Sequence, residues 1–324
     1  MKATLTLILL FLFNHFLFGS EPYKTITVSK DGNGDFTKIQ EAINSVRDLG
    51  PGEVLILIKN GIYNEKINIP SWKTQLKLKG EIKEKTIITN DDYAGKIDAL
   101  THQKILTYTS YTLLIAADNI MLENLTIQNT SCNQGQAVAL HVEGDRFIAK
   151  NTNIRGCQDT LYTATNNSRQ YYENCLIEGT TDFIFGEATA VFKDCIINSL
   201  ANSFITANAS AKEKQFGYVF FDCTLTASNH LNKVYLGRPW RPYAKTVFIN
   251  TTMGNHILDE GWNAWTGDKM FPNKEKTTFY AEYNTKGVDT KKRVNWSLQL
   301  TKNQLKKYTI QNIFNGWIPN KSLK

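Results

Sequence analysis

Six segments in the middle of the chain share one pattern, and their spacing constrains the fold more than any other feature. In each segment a run of β-prone residues leads to an Asn or Asp, and more β-prone residues follow. The segments are IMLENLTI (120–127), FIAKNTNI (147–154), QYYENCLI (170–177), AVFKDCII (190–197), YVFFDCTL (218–225) and TVFINTTM (246–253). From one Asn or Asp to the next, the steps are 27, 23, 20, 28 and 28 residues. This period, with Gly, Asn, Asp and Ser turns between strands, predicts a solenoid in which each repeat is one coil of a parallel β-helix.

Composition and charge limit the classes of protein to which this chain can belong. Of its 324 residues 42% are apolar, 21% are charged and only 7 are proline, which indicates one globular domain with a sizeable core. The formal net charge is +7, but no stripe of Lys and Arg interleaves with aromatic residues, so a nucleic-acid partner is not predicted. A positive surface favours an acidic polymer as partner, although it would serve solubility equally well.

The N-terminal stretch MKATLTLILLFLFNHFLFGS predicts a secretory signal peptide. A lysine precedes an apolar run from about residue 5 to residue 18, and the small residues Gly19 and Ser20 follow. A retained membrane anchor is the alternative, but the run is shorter than about 20 residues and is interrupted by polar residues. We therefore expect a signal peptide over residues 1–20, a mature domain over residues 21–324, no membrane span in the mature chain, and a secreted or periplasmic location.

The five cysteines divide into two groups. Cys175, Cys195 and Cys223 each follow the Asn or Asp of a repeat, so they should stack in an interior ladder on successive coils. We expect these three to be buried free thiols that act as small apolar residues. Cys132 and Cys157 lie off the ladder, and one disulfide remains possible in an exported chain. No C-x-x-C or H-E-x-x-H motif occurs, so neither a structural zinc nor a zincin site is predicted.

Two segments outside the repeats have helical spacing. In DGNGDFTKIQEAINSV (31–46), Thr37 is the expected N-cap of a helix with apolar residues at 39, 42, 43 and 46, which should cap the open core of the solenoid. The segment LTKNQLKKYTIQNIF (300–314) also has helical character, and it could cover the sheet or the other end.

Two acids hold the same register on consecutive coils. Asp159 lies eight residues after Asn151, and Asp182 lies eight residues after Asn174. Adjacent strands are about 4.8 Å apart, so the two carboxyl groups should stand one above the other. Stacked carboxylates repel, so one should carry a raised pKa and keep its proton while the other is ionised. An Asp ladder at a turn, or a cation site, is the alternative interpretation.

The stretch VYLGRPWRPYAKTVF (234–248) adds a cation and an aromatic residue. Arg238 could form a bidentate pair with a carboxylate, which would keep that carboxylate ionised and oriented. Trp240 offers a flat apolar face of the kind that stacks on sugar rings, although a structural Arg and a packing Trp remain possible. Trp262 and Trp265 in DEGWNAW (259–265) have the same ambiguity. Because no G-x-S-x-G motif or histidine triad spacing occurs, a hydrolase would have to use the carboxylates.

Taken together, these segments resemble the pectin methylesterases, the carbohydrate esterases that remove methyl groups from pectin. The matching motifs are GIYNEKI (61–67), QAVAL (136–140), QDTLY (158–162), DFIFG (182–186) and LGRPW (236–240), in the family's order. The opening DGNGDFTKIQEAI and the closing RVNWSLQLT fit as well, so the resemblance covers nearly all of the mature chain. It implies an all-β fold, a single-stranded right-handed parallel β-helix with short capping helices.

The resemblance also assigns roles to residues. It implies Asp182 as nucleophile, Asp159 as general acid and base, and Arg238 as the residue that orients the nucleophile. The oxyanion-hole glutamines fall on Gln136 and Gln158. Substrate contacts are expected at five further positions, namely Trp240, Thr112, Phe185, Trp262 and Tyr243. Departures from the family's usual pattern, such as Cys157, Thr181 and His141, touch no catalytic position and bear on substrate preference.

The predicted reaction is removal of methyl esters from pectin, giving pectate and methanol, with methylesterified homogalacturonan as partner. No cofactor or metal is expected, and the protein should be a monomer. One alternative is a hydrolase or calcium-dependent lyase that cuts the galacturonan backbone on the same fold. A second is a β-helix that binds polysaccharide without catalysis, which should lack one of the two aspartates or the arginine.

Overall fold

The computed structural model describes residues 24–228 and 230–319, and the predicted signal peptide lies outside this range. Twenty-six strands, β1–β26 in chain order, form three sheets in which all pairs of neighbouring strands are parallel. Sheet A contains β1 (Lys24–Val28), β2 (Val54–Ile58), β5 (Leu76–Gly80), β8 (Met121–Glu123), β11 (Phe147–Lys150), β14 (Arg169–Glu173), β17 (Thr189–Lys193), β20 (Tyr218–Phe221), β23 (Lys245–Ile249), β25 (Phe279–Tyr283) and β26 (Leu298–Gln299).

The other two sheets complete each coil. Sheet B contains β3 (Gly61–Asn64), β6 (Thr86–Asn90), β9 (Thr126–Asn129), β12 (Asn153–Arg155), β15 (Leu176–Gly179), β18 (Ile196–Ser199), β21 (Thr224–Ala227) and β24 (Thr252–Met253). Sheet C contains β4 (Ile67–Ile69), β7 (Leu113–Ile115), β10 (Leu140–Val142), β13 (Leu161–Thr163), β16 (Ile184–Gly186), β19 (Phe204–Asn208) and β22 (Tyr235–Gly237). Seven successive coils, from β2 to β22, therefore each add one strand to each sheet, and the predicted parallel β-helix is confirmed.

The Asn or Asp that marks each repeat forms the corner between sheets A and B. All six predicted markers have left-handed backbone angles, with φ between 46° and 55°, and Asn284 forms a seventh corner with φ 51°. Asn and Asp adopt this region more readily than other residues with a side chain, because their short polar groups bond locally. Some corner amides also bond from coil to coil, as Asn151 Nδ2 does to Asn124 Oδ1 at 2.6 Å. The repeated Asn or Asp is therefore explained by the left-handed backbone conformation of these corners.

Identical positions on successive coils stack inside the helix. Tyr172, Phe192, Phe220 and Phe248 occupy one register of sheet A, with ring centroids 4.8, 4.5 and 4.3 Å apart. Such offset stacks add stabilisation to the burial of the rings themselves. Beside them the cysteines at 175, 195 and 223 are buried free thiols, as predicted. Cys132 and Cys157 form a disulfide, which the sequence left open.

The N-terminal end is closed by helix α1 (Ile39–Ser45), whose residues Ile39, Ala42 and Ile43 are buried. It packs against β1, β2 and β4. The prediction that Thr37 is its N-cap is wrong, because the cap is Lys38, which makes no side-chain cap hydrogen bond. The carboxylate of Glu65 accepts hydrogen bonds from the first two helical amides instead, both at 3.0 Å. A residue distant in sequence thus replaces the local cap.

The C-terminal helical segment covers the outer face of sheet A. It forms two one-turn helices, α2 (Lys302–Leu305) and α3 (Ile310–Ile313), with Thr301 and Thr309 as their N-caps. Together with the residues around them, these helices bury an apolar cluster that lies against β14, β17, β20 and β23. Within residues 24–228 and 230–319, no helix is long and apolar enough to cross a membrane.

Candidate active site

The two predicted acids lie at equivalent positions on consecutive coils. Leu161 pairs with Ile184 in sheet C, so Asp159 and Asp182, each two residues earlier, share one register. Both acids have left-handed backbone angles, with φ 62° and 49°. Their N–H groups donate to carbonyls of the following coil, Asp159 to Thr181 at 3.0 Å and Asp182 to Phe204 at 2.8 Å. The stacked arrangement predicted from the spacing is therefore present.

The acids open into a cleft of about 290 Å³ on the outer face of sheet C. It brings together all five predicted catalytic residues and two of the five predicted substrate contacts. Its lining residues are Thr107, Tyr108, Gln136, Gln158, Asp159, Asp182, Phe185, Ala207, Arg238, Trp240 and Trp265.

The guanidinium of Arg238 holds the Asp182 carboxylate in a fixed plane. Its Nε lies 3.0 Å from Oδ1 and its Nη2 lies 2.6 Å from Oδ2, a bidentate pair. The guanidinium also lies 3.9 Å from the ring centroid of Phe204 and 3.7 Å from that of Trp265. Because each ring covers one planar face, the guanidinium is held between them, and only its edge is directed to the carboxylate.

The two carboxyl groups differ in the charges that surround them. Burial, and then the charge of Asp182, raises the pKa of Asp159 well above its ordinary value, while Arg238 opposes the shift. Burial also raises the pKa of Asp182, but hydrogen bonds from Arg238, its charge and the charge of Lys274 all lower it. Asp159 is therefore the group that keeps its proton to higher pH, and Asp182 is the group that ionises first.

The raised pKa of Asp159 gives a stability prediction. The folded state binds this proton more tightly than the unfolded chain, so stability falls as pH rises from about 3.9, the unfolded pKa, through the folded pKa. We expect Asp159→Asn to raise the Tm at pH 7.5 by at least about 2 °C, because ionisation of this carboxyl group favours the unfolded wild-type chain and an amide cannot ionise. At pH 3.5 both proteins carry a neutral side chain, and the gain should vanish.

Thermal unfolding of both proteins at the two pH values measures this difference. Asp222→Asn, at an exposed corner of the β-helix, is the matched control for the loss of one carboxyl group. An equal effect of Asp159→Asn at both pH values would contradict the assignment of the proton to Asp159.

The predicted oxyanion-hole glutamines lie on adjacent coils beside the acids. Their side chains line the same cleft. The carbonyl of Gln158 accepts the N–H of Ala137 at 3.0 Å, and the carbonyl of Gln136 accepts the N–H of Ala94 at 2.8 Å. The backbone that carries each glutamine is thus fixed by its neighbour, and both side-chain amides are available to a group in the cleft.

Two predicted substrate contacts are wrong. Thr112 is fully buried, and its hydroxyl donates to the carbonyl of Gln128 at 2.9 Å, inside the wall between coils. Trp262 is 1% exposed, with its ring 4.3 Å from that of Tyr280 in the core. Neither side chain can reach a ligand in the cleft.

Two more predicted substrate contacts, Phe185 and Tyr243, differ in their position relative to the cleft. Phe185 lines the cleft and stacks on Tyr162, with ring centroids 4.6 Å apart. Tyr243 is half-buried next to Lys212, whose Nζ lies 5.6 Å from the ring centroid, and it does not line the cleft.

Sequence reasoning missed several residues of the site. Phe204 has the register of Asp182. A count from the repeat marker misses it, because the chain from Ser199 to Thr206 is two residues longer than the stretch with which it pairs, from residue 179 to residue 184. The side chain of Lys274 is fully buried, 2.7 Å from Asp268 and 4.3 Å from the ring centroid of Trp265. Thr107 and Tyr108 belong to a loop outside the repeats.

The arrangement is suited to acyl transfer. An oriented carboxylate can act as nucleophile, a carboxyl group that keeps its proton can act as general acid, and two side-chain amides can stabilise an oxyanion. In the described part of the chain, no group of three His, Cys, Asp or Glu residues is placed to hold a metal ion.

Comparison with known proteins gives one consistent family. The Pectinesterase family model matches residues 25–317. Pectinesterase 5 of Arabidopsis thaliana is 35% identical over 294 residues, which cover 86% of this chain and 48% of that protein. The chain thus spans about half the length of such curated relatives.

Solved structures agree in fold over nearly their whole length. The pectin methylesterase from carrot is 30% identical, with a TM-score of 0.81 over 90% of this chain and 93% of that one. A pectin methylesterase solved in complex with a hexasaccharide is also 30% identical, with a TM-score of 0.80 over 91% of this chain and 98% of its own. The fold is a right-handed parallel β-helix. The chain belongs to the pectinesterase family.

Proposed function

We propose that the protein is a pectinesterase, a carboxylic ester hydrolase that removes methyl groups from the methyl-galacturonate units of pectin. One observation carries the proposal, namely the bidentate pair of Asp182 and Arg238 in the cleft that also holds Asp159 and both glutamines. A carboxylate oriented in this way beside a proton-bearing acid is what ester hydrolysis through an acyl-enzyme requires. Family membership and the hexasaccharide complex of a relative support the same substrate class.

The mechanism follows from the two different carboxyl groups. An Asp182 oxygen attacks the ester carbonyl carbon, and the amide N–H groups of Gln136 and Gln158 stabilise the oxyanion. Asp159 gives its proton to the leaving methoxide, which departs as methanol and leaves an anhydride between Asp182 and the galacturonate. Asp159, now ionised, takes a proton from water, and the resulting hydroxide attacks the anhydride. The products are the free Asp182 carboxylate and a galacturonic acid group, which releases its proton to the solvent and becomes a carboxylate, while Asp159 is protonated again.

The substrate polymer should lie across the aromatic side chains of the cleft. Trp240 and Phe185 meet edge to face with centroids 5.8 Å apart, and Tyr108 lines the same cleft. Such faces pack against the apolar C–H surface of sugar rings. Tyr243, which does not line the cleft, remains a proposed contact for a more distant sugar unit.

The decisive test measures methanol release from methylesterified pectin while polymer length is followed in parallel. We expect methanol without chain shortening. A backbone hydrolase or lyase would shorten the chain instead, and a binding protein would do neither.

Metal removal provides a second discriminating measurement. Dialysis against EDTA should leave the rate of methanol release unchanged within error, because Arg238 is the counter-charge of the nucleophile. The same enzyme dialysed against buffer alone is the control. Loss of activity that calcium restores would contradict this mechanism and favour the lyase.

We further propose that residues 1–20 direct export, that residues 21–324 form the catalytic domain, and that the mature protein is a secreted or periplasmic monomer. The sequence of the N-terminus supports export. The disulfide between Cys132 and Cys157 is consistent with it, because such bonds persist in oxidising compartments.

A further inference from the structure

The single disulfide of the described chain joins the two segments that carry the candidate oxyanion-hole residues. Cys157 immediately precedes Gln158 and Asp159, and Cys132 lies four residues before Gln136. The two cysteines are 25 residues apart in sequence, with Cα atoms separated by 5.3 Å. The bond therefore links one coil to the next at the rim of the cleft.

The two cysteines of the disulfide differ in how many contacts hold them in place. Cys157 is buried, and its carbonyl accepts hydrogen bonds from the N–H of Thr180 at 2.9 Å and the hydroxyl of Thr160 at 3.1 Å. Cys132 is exposed and belongs to residues 130–139, which contain no helix or strand. In the described part of the chain, residues 132–135 make no hydrogen bond. Between Ser131 and Gln136, the disulfide to Cys157 is thus the bond that attaches residues 132–135 to the neighbouring coil.

The backbone of the segment makes that attachment important for Gln136. Asn133 and Gly135 both have positive φ, 63° and 143°, and the backbone bends over residues 133–135. A Cβ at Gly135 would lie 3.1 Å from the carbonyl of Ala94, so the path there is narrow. Ser131 is held by hydrogen bonds to Asn129 and Asp91, and the carbonyl of Gln136 is held by the N–H of Ala94. Without the disulfide, nothing in the described part of the chain would hold residues 132–135 between these two anchors.

We propose that the Cys132–Cys157 disulfide is a positioning element for the oxyanion hole, which anchors the segment of Gln136 to the turn that carries Gln158 and Asp159. The inference rests on the proposed function. Oxyanion stabilisation depends on donors fixed in advance, because a donor that must be ordered during the reaction contributes less to the transition state. Reduction should therefore lower kcat while binding of the polymer changes little.

The experiment compares the oxidised and reduced full-length mature enzyme. Dithiothreitol supplies two electrons and two protons, cleaves the S–S bond into two thiols and becomes its own cyclic disulfide. In denaturant, the thiol count should rise from three to five, because Cys175, Cys195 and Cys223 are already free. We expect kcat for methanol release to fall about tenfold, with KM within about twofold. Removal of one oxyanion donor costs about 10²–10³-fold, and a donor that is loosened but still present should cost less. Reoxidation should restore kcat.

Variants separate this role from general stabilisation. Cys132→Ser and Cys157→Ser should each show the lowered kcat, with no further response to dithiothreitol. Cys223→Ala, on the buried ladder, is the matched control and should keep the full response to the reductant. Amide hydrogen exchange of Ala94 and Ala137, whose N–H groups bond to the carbonyls of Gln136 and Gln158, should quicken on reduction, while exchange in β13 and β16 stays slow.

The inference fails if five thiols are counted in enzyme purified from an oxidising compartment. It also fails if the reduced enzyme keeps its kcat, or if only KM or the Tm changes. Methanol release by the oxidised wild-type enzyme tests the proposed function separately. If that activity were absent, the hydrogen exchange of Ala94 and Ala137 would still decide whether the disulfide anchors the segment.

Discussion

Asp182→Ala and Asp159→Ala should each lower kcat for methanol release by at least about 10⁴-fold, and the double variant should lose little more than either one. One residue forms the acyl-enzyme and the other moves the proton in both half-reactions, so removal of either stops the same sequence of steps. Groups that act as one catalytic unit have strongly non-additive effects. Initial rates of methanol release from one pectin preparation measure all three variants.

Two further variants make this result interpretable. Asp182→Ala leaves the half-buried guanidinium of Arg238 without its carboxylate and can destabilise the fold, so the isosteric Asp182→Asn should be measured as well. Asp194→Ala removes an acid at an exposed corner, where its carboxylate pairs with Lys193, and should keep wild-type activity. Activity near the wild-type level in either folded Asp182 variant would show that this residue is not the nucleophile.

The fold could be predicted because successive coils of the solenoid have the same residue types at equivalent positions. In each of the six predicted repeats the corner from sheet A to sheet B has a left-handed residue, and Asn or Asp adopts that conformation at low cost. The register of Asp159 and Asp182 was predictable for the same reason, since the turns of their two coils have equal length. The same count misses Phe204, because in its coil the stretch from the last paired residue of sheet B to the first shared register position of sheet C is two residues longer.

The direction of side chains and the contacts between loops could not be predicted in this way. Trp262 and Trp265 are three residues apart in one aromatic motif, yet one lies in the core and the other against Arg238. No periodic pattern governs loops, so the sequence does not distinguish these positions. The pairing of Cys132 with Cys157 likewise depends on two loops that meet only after the coils have stacked.

Arg238→Lys should be far from conservative, with kcat lowered about 100-fold and KM changed by less than about threefold. Three features of the guanidinium are lost together, namely the two parallel hydrogen bonds to Asp182, the flat surface against Phe204 and the flat surface against Trp265. An ammonium is a compact, strongly hydrated point charge and cannot reproduce the fork or fill the space between two rings. The carboxylate would stay ionised but less well aimed, and a misplacement of about 1 Å can cost about 10²-fold in rate.

Trp240→Ala provides the contrast within the same LGRPW motif. Its ring lines the cleft but does not touch the carboxylate pair, so it should hold substrate and transition state equally. Loss of such uniform binding raises KM and leaves kcat nearly unchanged. Steady-state kinetics of both variants on one methylated oligogalacturonide separates the two roles. If Arg238→Lys raised only KM, the arginine would bind substrate rather than orient the nucleophile, and the ionisation of Asp182 would need another source.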